Sequence, residues 1–300
     1  MSPTIKKVAL AGATGDIGAP MLKALLEANY EVTTLTRQTS DHKFPDNVKV
    51  AKVDYNSVES LTSALQGQDA LISTVAITAG DQQKCLVEAA VAAGVKRLIP
   101  SEFGSDPENA KARALPVFAP KVETKKQIEA KCAGTGTTYT FVSNNQFLDW
   151  GINSGFMIDV KGKKMNLYDG GNTRFTATPL AFVAEGTVAI LSHLDQTANR
   201  VVRLHGIALT QNKFLEIAQN VAGKEGWEVT EFASEEKEQD AWKNLKANPE
   251  NVWGWVPGFL NRSVYAEGFG GDLSERNDNE MLGLKEVSEA EVDEMMRGAV

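Results

Sequence analysis

The sequence predicts an α/β protein, with a doubly wound parallel sheet over residues 1–150 and a smaller C-terminal substrate lobe over 151–300. Three observations predict it: an apolar run near the start that breaks into spaced glycines, an alternation of apolar runs with helical patterns through the first half, and the fading of that alternation beyond Phe147. The first strand is read at Ile5 to Ala11, apolar apart from Lys6 and Lys7, as befits a strand buried on both faces. Ile17, Met21, Leu22, Leu25 and Leu26 then recur at helical spacing. Strands follow from Glu31 to Thr36 and from Val48 to Val53, then a helix from Val58 to Leu65 and a strand from Ala70 to Ser73. The next helix runs from Gln82 to Ala93 and leads into a strand at Arg97 to Pro100. Gly67 and Gly94 stand where these two helices should stop. A loop is expected from Ser101 to Ala119, then a helix near Lys121 to Cys132 and a strand from Thr138 to Val142. The crossover rule for parallel strands makes this order a Rossmann-type sheet with helices on both faces. Past residue 150 some segments are expected to return to that sheet. Ser288 with Glu291 has capping-box spacing and opens a closing helix that runs to Arg297.

The break after the first strand reads Gly12-Ala13-Thr14-Gly15-Asp16-Ile17-Gly18 and has the residues that a phosphate-binding turn needs. Such a turn needs a residue free to take positive φ, a second without a side chain where backbone meets pyrophosphate, and a third where helix packs on strand. Gly12, Gly15 and Gly18 fill those posts in order, and the amides opening the next helix form an anion site with the positive end of its dipole. The alternative is a tight glycine turn in some other α/β domain. The second strand ends Leu35-Thr36-Arg37 with no carboxylate for the ribose hydroxyls of NAD. A guanidinium offers a fork of donors to a 2′-phosphate, so Arg37 argues for NADP(H), against the alternative of a solvated surface arginine. Lys43 is a second cation that the same loop can bring to that phosphate.

In an open sheet, ligands bind beyond the carboxyl ends of the strands, where strand order reverses. That rule selects Thr74 and Val75, then Ser101, Glu102 and Phe103, then Ser143, Asn144, Asn145 and Phe147. Asn145 and its neighbours can hydrogen-bond a carboxamide or a substrate carbonyl, and Phe103 and Phe147 can flank a ring. Residues of these types also serve as turn caps and core.

Composition narrows the function further. The chain has 300 residues, 42% hydrophobic, enough for a substantial core, and a net charge of −8 gives no basic field for nucleic acid. Cys85 and Cys132 are expected as reduced thiols and not as a disulfide. His42, His193 and His205 sit in no ligand or triad pattern, so no metal is expected and each is read as a surface or helix-end residue. The first apolar run is cut short at Gly12, too early for a leader, and no stretch approaches a membrane span. A cytoplasmic protein without membrane attachment is the expectation, as a monomer or homodimer.

Four segments together resemble the isoflavone reductase-like, NmrA-like branch of the atypical short-chain dehydrogenases. They are Gly12-Ala13-Thr14-Gly15-Asp16-Ile17-Gly18, Val95 through Pro100-Ser101-Glu102-Phe103-Gly104, Lys121 ahead of Ile128-Glu129-Ala130, and Tyr139-Thr140-Phe141-Val142-Ser143-Asn144-Asn145. The resemblance is strong over the first half and weak beyond it, and the Pro100 to Gly104 run is its most specific mark. It implies a Rossmann domain that binds NADPH through the glycine turn and Arg37, with Lys121 beside the cofactor and acting in catalysis on aromatic secondary metabolites; the alternative is that Lys121 only anchors the nicotinamide ribose or lies on the surface. Ordinary short-chain dehydrogenases place a tyrosine four residues before the lysine, where this chain has Val117, so their tyrosine-based alcohol chemistry is not expected.

The expected activity is hydride transfer from NADPH to a conjugated or benzylic carbon of an aromatic small molecule, with Lys121 as general acid or base. Pro120 suggests that Lys121 stands among the unpaired amides of a helix start, a place that disfavours a cation. Two other functions fit the same turn: a non-catalytic NADP sensor that binds a protein partner, as in NmrA-like regulators, and a redox-neutral isomerase. The run of Trp253, Trp255 and Phe259 is read as substrate wall, packed core or subunit contact.

Overall fold

The computed structural model describes residues 4–300, so residues 1–3, the start of the segment read above for a leader, lie outside the described residues. The chain forms β1 (Lys7–Ala11), α1 (Gly18–Glu27), β2 (Glu31–Arg37), β3 (Lys49–Val53), α2 (Val58–Leu65), β4 (Ala70–Ser73), α3 (Gly80–Ala93) and β5 (Arg97–Ile99). Next come α4 (Ala110–Arg113), a 3-10 turn at Pro116–Phe118, α5 (Ala119–Cys132), β6 (Thr138–Ser143), β7 (Gln146–Phe147), α6 (Leu148–Asn153), β8 (Lys164–Tyr168) and β9 (Arg174–Thr178). The remainder contains α7 (Leu180–Ile190), α8 (Leu194–Thr197), β10 (Arg200–Arg203), β11 (Ile207–Thr210), α9 (Gln211–Ala222), β12 (Glu228–Phe232), α10 (Ser234–Ala247), α11 (Val256–Tyr265), α12 (Asn279–Leu282) and α13 (Glu289–Arg297).

Among the described residues the main sheet has seven strands in the order β10-β6-β5-β4-β1-β2-β3. The central strand β1 pairs in parallel with β2 on one side, Val8 beside Val32, and with β4 on the other, Val8 beside Ala70. Strand order therefore reverses at β1 and β4, and their carboxyl ends carry the Gly12 turn and Thr74. The chain divides into two compact units, 1–103 with 120–142 and 181–202, and 104–119 with 143–180 and 203–300.

In the first unit one face of the doubly wound sheet is buried by apolar side chains of a single helical layer. Ala9, Ala11, Leu71, Leu98 and Phe141 from the strands pack with Leu61, Leu65, Leu86, Val87 and Ile128 from α2, α3 and α5. Each fully buried leucine contributes roughly 2 kcal/mol of transfer free energy, which explains why these helices lie flat on the sheet. Arg97 is an unexpected member of this interior. Its guanidinium donates to the hydroxyls of Thr138, Thr140 and Thr197 and to the Leu194 carbonyl, so every face of the buried cation finds an oxygen. Burial pushes it down to about 10, which still leaves it charged at neutral pH. Cys85 and Cys132 are free thiols, both pushed up by burial.

The second unit has a three-stranded sheet, β11-β9-β7, and a two-stranded one, β12-β8. Its core includes Phe175, Phe214 and Tyr265, with Tyr265 stacked on Tyr168 at 5.4 Å between ring centroids. The segment expected as an unbroken loop up to Ala119 instead contains α4, held by the Asn109 side chain accepting from the Ala112 amide. Four residues are too few to show a helical period, so only the cap could have betrayed it. The three aromatics near the tail separate in role: Phe259 is buried, Trp255 is partly buried, and Trp253 is 71% exposed. The expected closing helix is α13, and its capping box between Ser288 and Glu291 is complete.

His205 departs from its expected surface position and is only 2% exposed. Its Nδ1 lies 3.0 Å from the Thr176 hydroxyl, which also accepts from the Leu273 amide, and its Nε2 lies 3.9 Å from the Glu286 carboxylate. The Thr176 hydroxyl can donate to Nδ1 or accept from it, according to the tautomer of the ring. Burial lowers the imidazole below its ordinary value, assisted by Arg174 and opposed by Glu286 and Asp272. The unfolded chain therefore binds this proton first, and folded stability is retained above about pH 6.5 and declines as the pH falls below it. Thermal melts should show the melting temperature dropping between about pH 7 and pH 5.5, with the slope reduced in His205→Asn; an equal slope in the variant would remove His205 as its source.

Candidate functional site

The glycine turn starts where β1 ends, beside β4. Gly12 has φ +84°, and a Cβ there would stand 2.7 Å from the Thr74 carbonyl oxygen. A Cβ on Gly18 would overlap the Gly12 carbonyl, which allows α1 to begin against the strand end. Gly15 is different. Its φ is not in the left-handed region, and a Cβ would make only an ordinary contact, 3.5 Å from the Gly12 oxygen. The fold thus demands Gly12 and Gly18 but leaves Gly15 bare and exposed, as a ligand pressed against the backbone would require. No side chain caps the first turn of α1, where the Ala19 amide donates to the Gly15 carbonyl at 2.9 Å and Pro20 has no N–H, so the Gly18 amide is the one that this turn offers to an anion. Ala13 is buried beneath the turn, while Thr14 and Asp16 are exposed and Ile17 is half-buried. Arg37 ends β2 with an exposed side chain, and Lys43 lies exposed in the following segment. Thr74 ties β4 to β1, its amide and hydroxyl both 2.9 Å from the Ala11 carbonyl.

Beyond the ends of β4 and β5 a cleft of about 380 Å³ is lined by Val75, Gly80, Gln83, Ser101, Glu102 and Lys121. Ser101 donates to the Val75 carbonyl at 2.7 Å, which joins the two strand ends. Gln83, 5% exposed, accepts at Oε1 from the Ser73 hydroxyl at 2.7 Å and the Ser101 amide at 3.3 Å. Those two donors fix which way the amide faces, and its Nε2 has no partner in the protein. Gln83 was missed in the sequence. Its signal is a polar residue on the stripe of α3 that also carries Leu86, Val87 and Ala90.

Lys121 reaches the cleft from the first turn of α5. Its Nζ donates to the Glu102 carbonyl and, at 3.3 Å, to the Phe103 carbonyl, and it lies 4.0 Å from the Glu102 carboxylate. The side chains are 16% and 4% exposed, so the pair meets with little solvent between. Every one of these neighbours is an acceptor that stabilises an ammonium. The expected surroundings, bare helix amides that disfavour a cation, are not what the chain builds. A 3-10 turn at Pro116–Phe118 runs straight into α5, and two strand-end carbonyls meet the ammonium. The carbonyl of Phe103 meets Lys121, and its ring is buried.

The first unit therefore brings together the glycine turn, Arg37, Thr74, Val75, Glu102, Phe103 and Lys121. Asn145 and Phe147 belong to the second unit. There Asn145 has φ +55° and is buried, with its amide donating to the Gly104 carbonyl at 2.9 Å and its Nδ2 to the Gly271 carbonyl. The Oδ1 atoms of Asn144 and Asn145 have no donor in the protein. Phe147 is half-buried at the start of α6. Among the described residues no group of three or more His, Cys, Asp or Glu is placed to hold a metal, and no helix is long and apolar enough to cross a membrane.

The pattern of the NmrA-like family matches residues 4–229. An oxidoreductase of Penicillium oxalicum, poxI, is 33% identical over 304 aligned positions that cover 97% of this chain and 94% of the relative. A phenylcoumaran benzylic ether reductase of Pinus taeda, PT1, is 31% identical, covering 66% of this chain and 68% of its own length. Among solved structures, the binary complex of leucoanthocyanidin reductase and NADPH from Vitis vinifera superposes with a TM-score of 0.79 at 18% identity, over 97% of this chain and 99% of the other. That likeness is one of fold. With the family pattern matched over three quarters of its length and a relative 33% identical over nearly all of it, the chain belongs to the NmrA-like family.

Proposed function

We propose that the chain is an NADP(H)-dependent reductase that delivers hydride to a conjugated or benzylic carbon of an aromatic small molecule. The observation that carries this reading is the Lys121 ammonium, held in a cleft of the same unit as the glycine turn and next to a buried carboxylate. The residues present fit the dinucleotide: a bare Gly15, the Gly18 amide at the uncapped start of α1 and an arginine where NAD proteins carry an acid. Relatives named as an oxidoreductase and a benzylic ether reductase support the reaction class. Thr74, Val75, Glu102 and Phe103 are assigned to the cofactor side of the cleft. Asn145 and Phe147, expected from the sequence at the carboxamide and ring, belong to the second unit.

When bound, the reduced dinucleotide supplies a hydride. Lys121 handles the charge that follows. As the new C–H bond forms, the displaced electron pair comes to rest on a substrate oxygen. The Nζ proton then passes to that oxygen, and the amine is reprotonated from solvent. The two carbonyls and the Glu102 carboxylate are all acceptors for Nζ, so the lysine is assigned the part of the acid. Val117, where ordinary short-chain dehydrogenases have their tyrosine, offers no second proton donor. The reducing cytosol, which keeps Cys85 and Cys132 as thiols, is the proposed setting.

The test is loss of NADPH absorbance with a panel of isoflavones, phenylcoumarans and conjugated ketones, with products identified by mass. Turnover of one class supports the reading. Failure with all of them, joined to unequal binding of NADP+ and NADPH, would favour a sensor. A second expected outcome concerns Arg37. In Arg37→Ala, NADPH affinity should fall about 10- to 100-fold while NADH affinity changes little, and equal loss for both would remove Arg37 from the 2′-phosphate.

A further inference from the structure

Tyr55 follows β3 in the chain, yet its hydroxyl leaves that strand and donates to the Leu35 carbonyl on β2 at 2.7 Å. Leu35 stands beside Ala11 in the sheet, one residue before Gly12, and two residues ahead of Arg37. The Gly12 backbone and the Arg37 guanidinium are both near enough to act electrostatically on the ring hydroxyl. Burial pushes the phenol up to about 12, so it keeps its proton and donates at every physiological pH. The register explains the proximity. Arg37 pairs with Val53, the last residue of β3, so Tyr55, two residues further on, leaves the sheet at the end where Arg37 stands.

We infer that Tyr55 is a positioning residue for NADP(H), its hydroxyl clamping the glycine turn to the end of β2 so that Gly12 and Arg37 are held at the spacing of the two phosphates on an adenosine. The inference rests on the dinucleotide reading above. Its physical content is preorganisation. One bridging hydroxyl fixes the distance between the anion site at the start of α1 and the guanidinium, and a ligand that must touch both gains from that fixed distance. A ligand that touches only one gains nothing. A role confined to packing would affect both ligands alike.

Adenosine 2′,5′-bisphosphate spans both groups, whereas AMP carries only the 5′-phosphate. Calorimetric titration of both into the full-length protein and into Tyr55→Phe separates the alternatives. The variant should bind the bisphosphate about five- to tenfold more weakly and AMP within about twofold of the parent. At saturating NADPH its kcat should be unchanged while its KM for NADPH rises. Tyr55→Leu, which also lacks the hydroxyl, should give the same ratio, and a thermal melt of each free variant checks that the fold is intact. Unchanged bisphosphate affinity, or equal weakening of both ligands, overturns the clamp. A parent protein that does not bind the bisphosphate overturns the dinucleotide reading instead.

Discussion

Replacing Lys121 with alanine should lower kcat/KM for NADPH-dependent reduction about 100- to 10,000-fold while NADPH affinity changes little. The expectation follows from where Nζ sits. It is the cation that the Glu102 and Phe103 carbonyls and the Glu102 carboxylate hold in the cleft beyond β4 and β5. Its removal leaves the developing oxyanion without a proton or a counter-charge. Lys121→Arg sharpens the result, because a guanidinium keeps the charge but does not release a proton near neutral pH. If Lys121 acts as an acid, the arginine variant stays near the alanine level. Recovery of most of the activity in Lys121→Arg would reduce the role to electrostatics, and full activity in Lys121→Ala would remove the residue from the mechanism.

Substitutions at Gly15 and Gly18 should separate binding from folding. Gly15→Ala meets nothing closer than 3.5 Å, so the melting temperature should stay within about 1 °C while NADPH affinity drops at least about tenfold. Gly18→Ala drives a methyl group into the Gly12 carbonyl and must displace α1 from the end of β1. Overpacking of this kind costs roughly 1–3 kcal/mol, enough to lower the melting temperature by about 3 °C or more. Binding then fails as a result of the displaced helix. Calorimetry and thermal melts on both variants check the pair. Intact binding in Gly15→Ala would mean that nothing presses on that backbone.

The half of the chain that carries the sheet was legible because its signals are local. Val58–Leu65 and Ala70–Ser73 have the bounds that periodicity gives, and Gly12, Gly15 and Gly18 describe their own turn. Lys121 was reached through family resemblance, since nothing in a mixed run of lysines on α5 marks one of them out. Its surroundings were not legible at all. The carbonyls that meet Nζ come from residues nearly twenty positions earlier, and only tertiary structure brings them there. Gln83 and Tyr55 were hidden for the same reason. Each is an ordinary residue of its own element, and its partners Ser73, Ser101 and Leu35 lie on other strands. His205 was misplaced because a lone histidine in sequence shows neither its burial nor the Thr176 hydroxyl that accounts for it. The short helix α4 escaped because a single turn has no period to read.

The central claim is that this chain moves hydride from NADPH to an aromatic substrate, and isotope transfer tests it most directly. Protein is incubated with NADPH carrying deuterium at the transferable position of the nicotinamide ring and with a substrate from the responsive class. One deuterium should appear in the product at the reduced carbon, in step with NADPH consumed, and in Lys121→Ala labelled product should form about 100- to 10,000-fold more slowly. Product formed without deuterium and without NADPH consumption would make the protein a redox-neutral isomerase. Tight NADPH binding with no product from any substrate would contradict the reductase altogether.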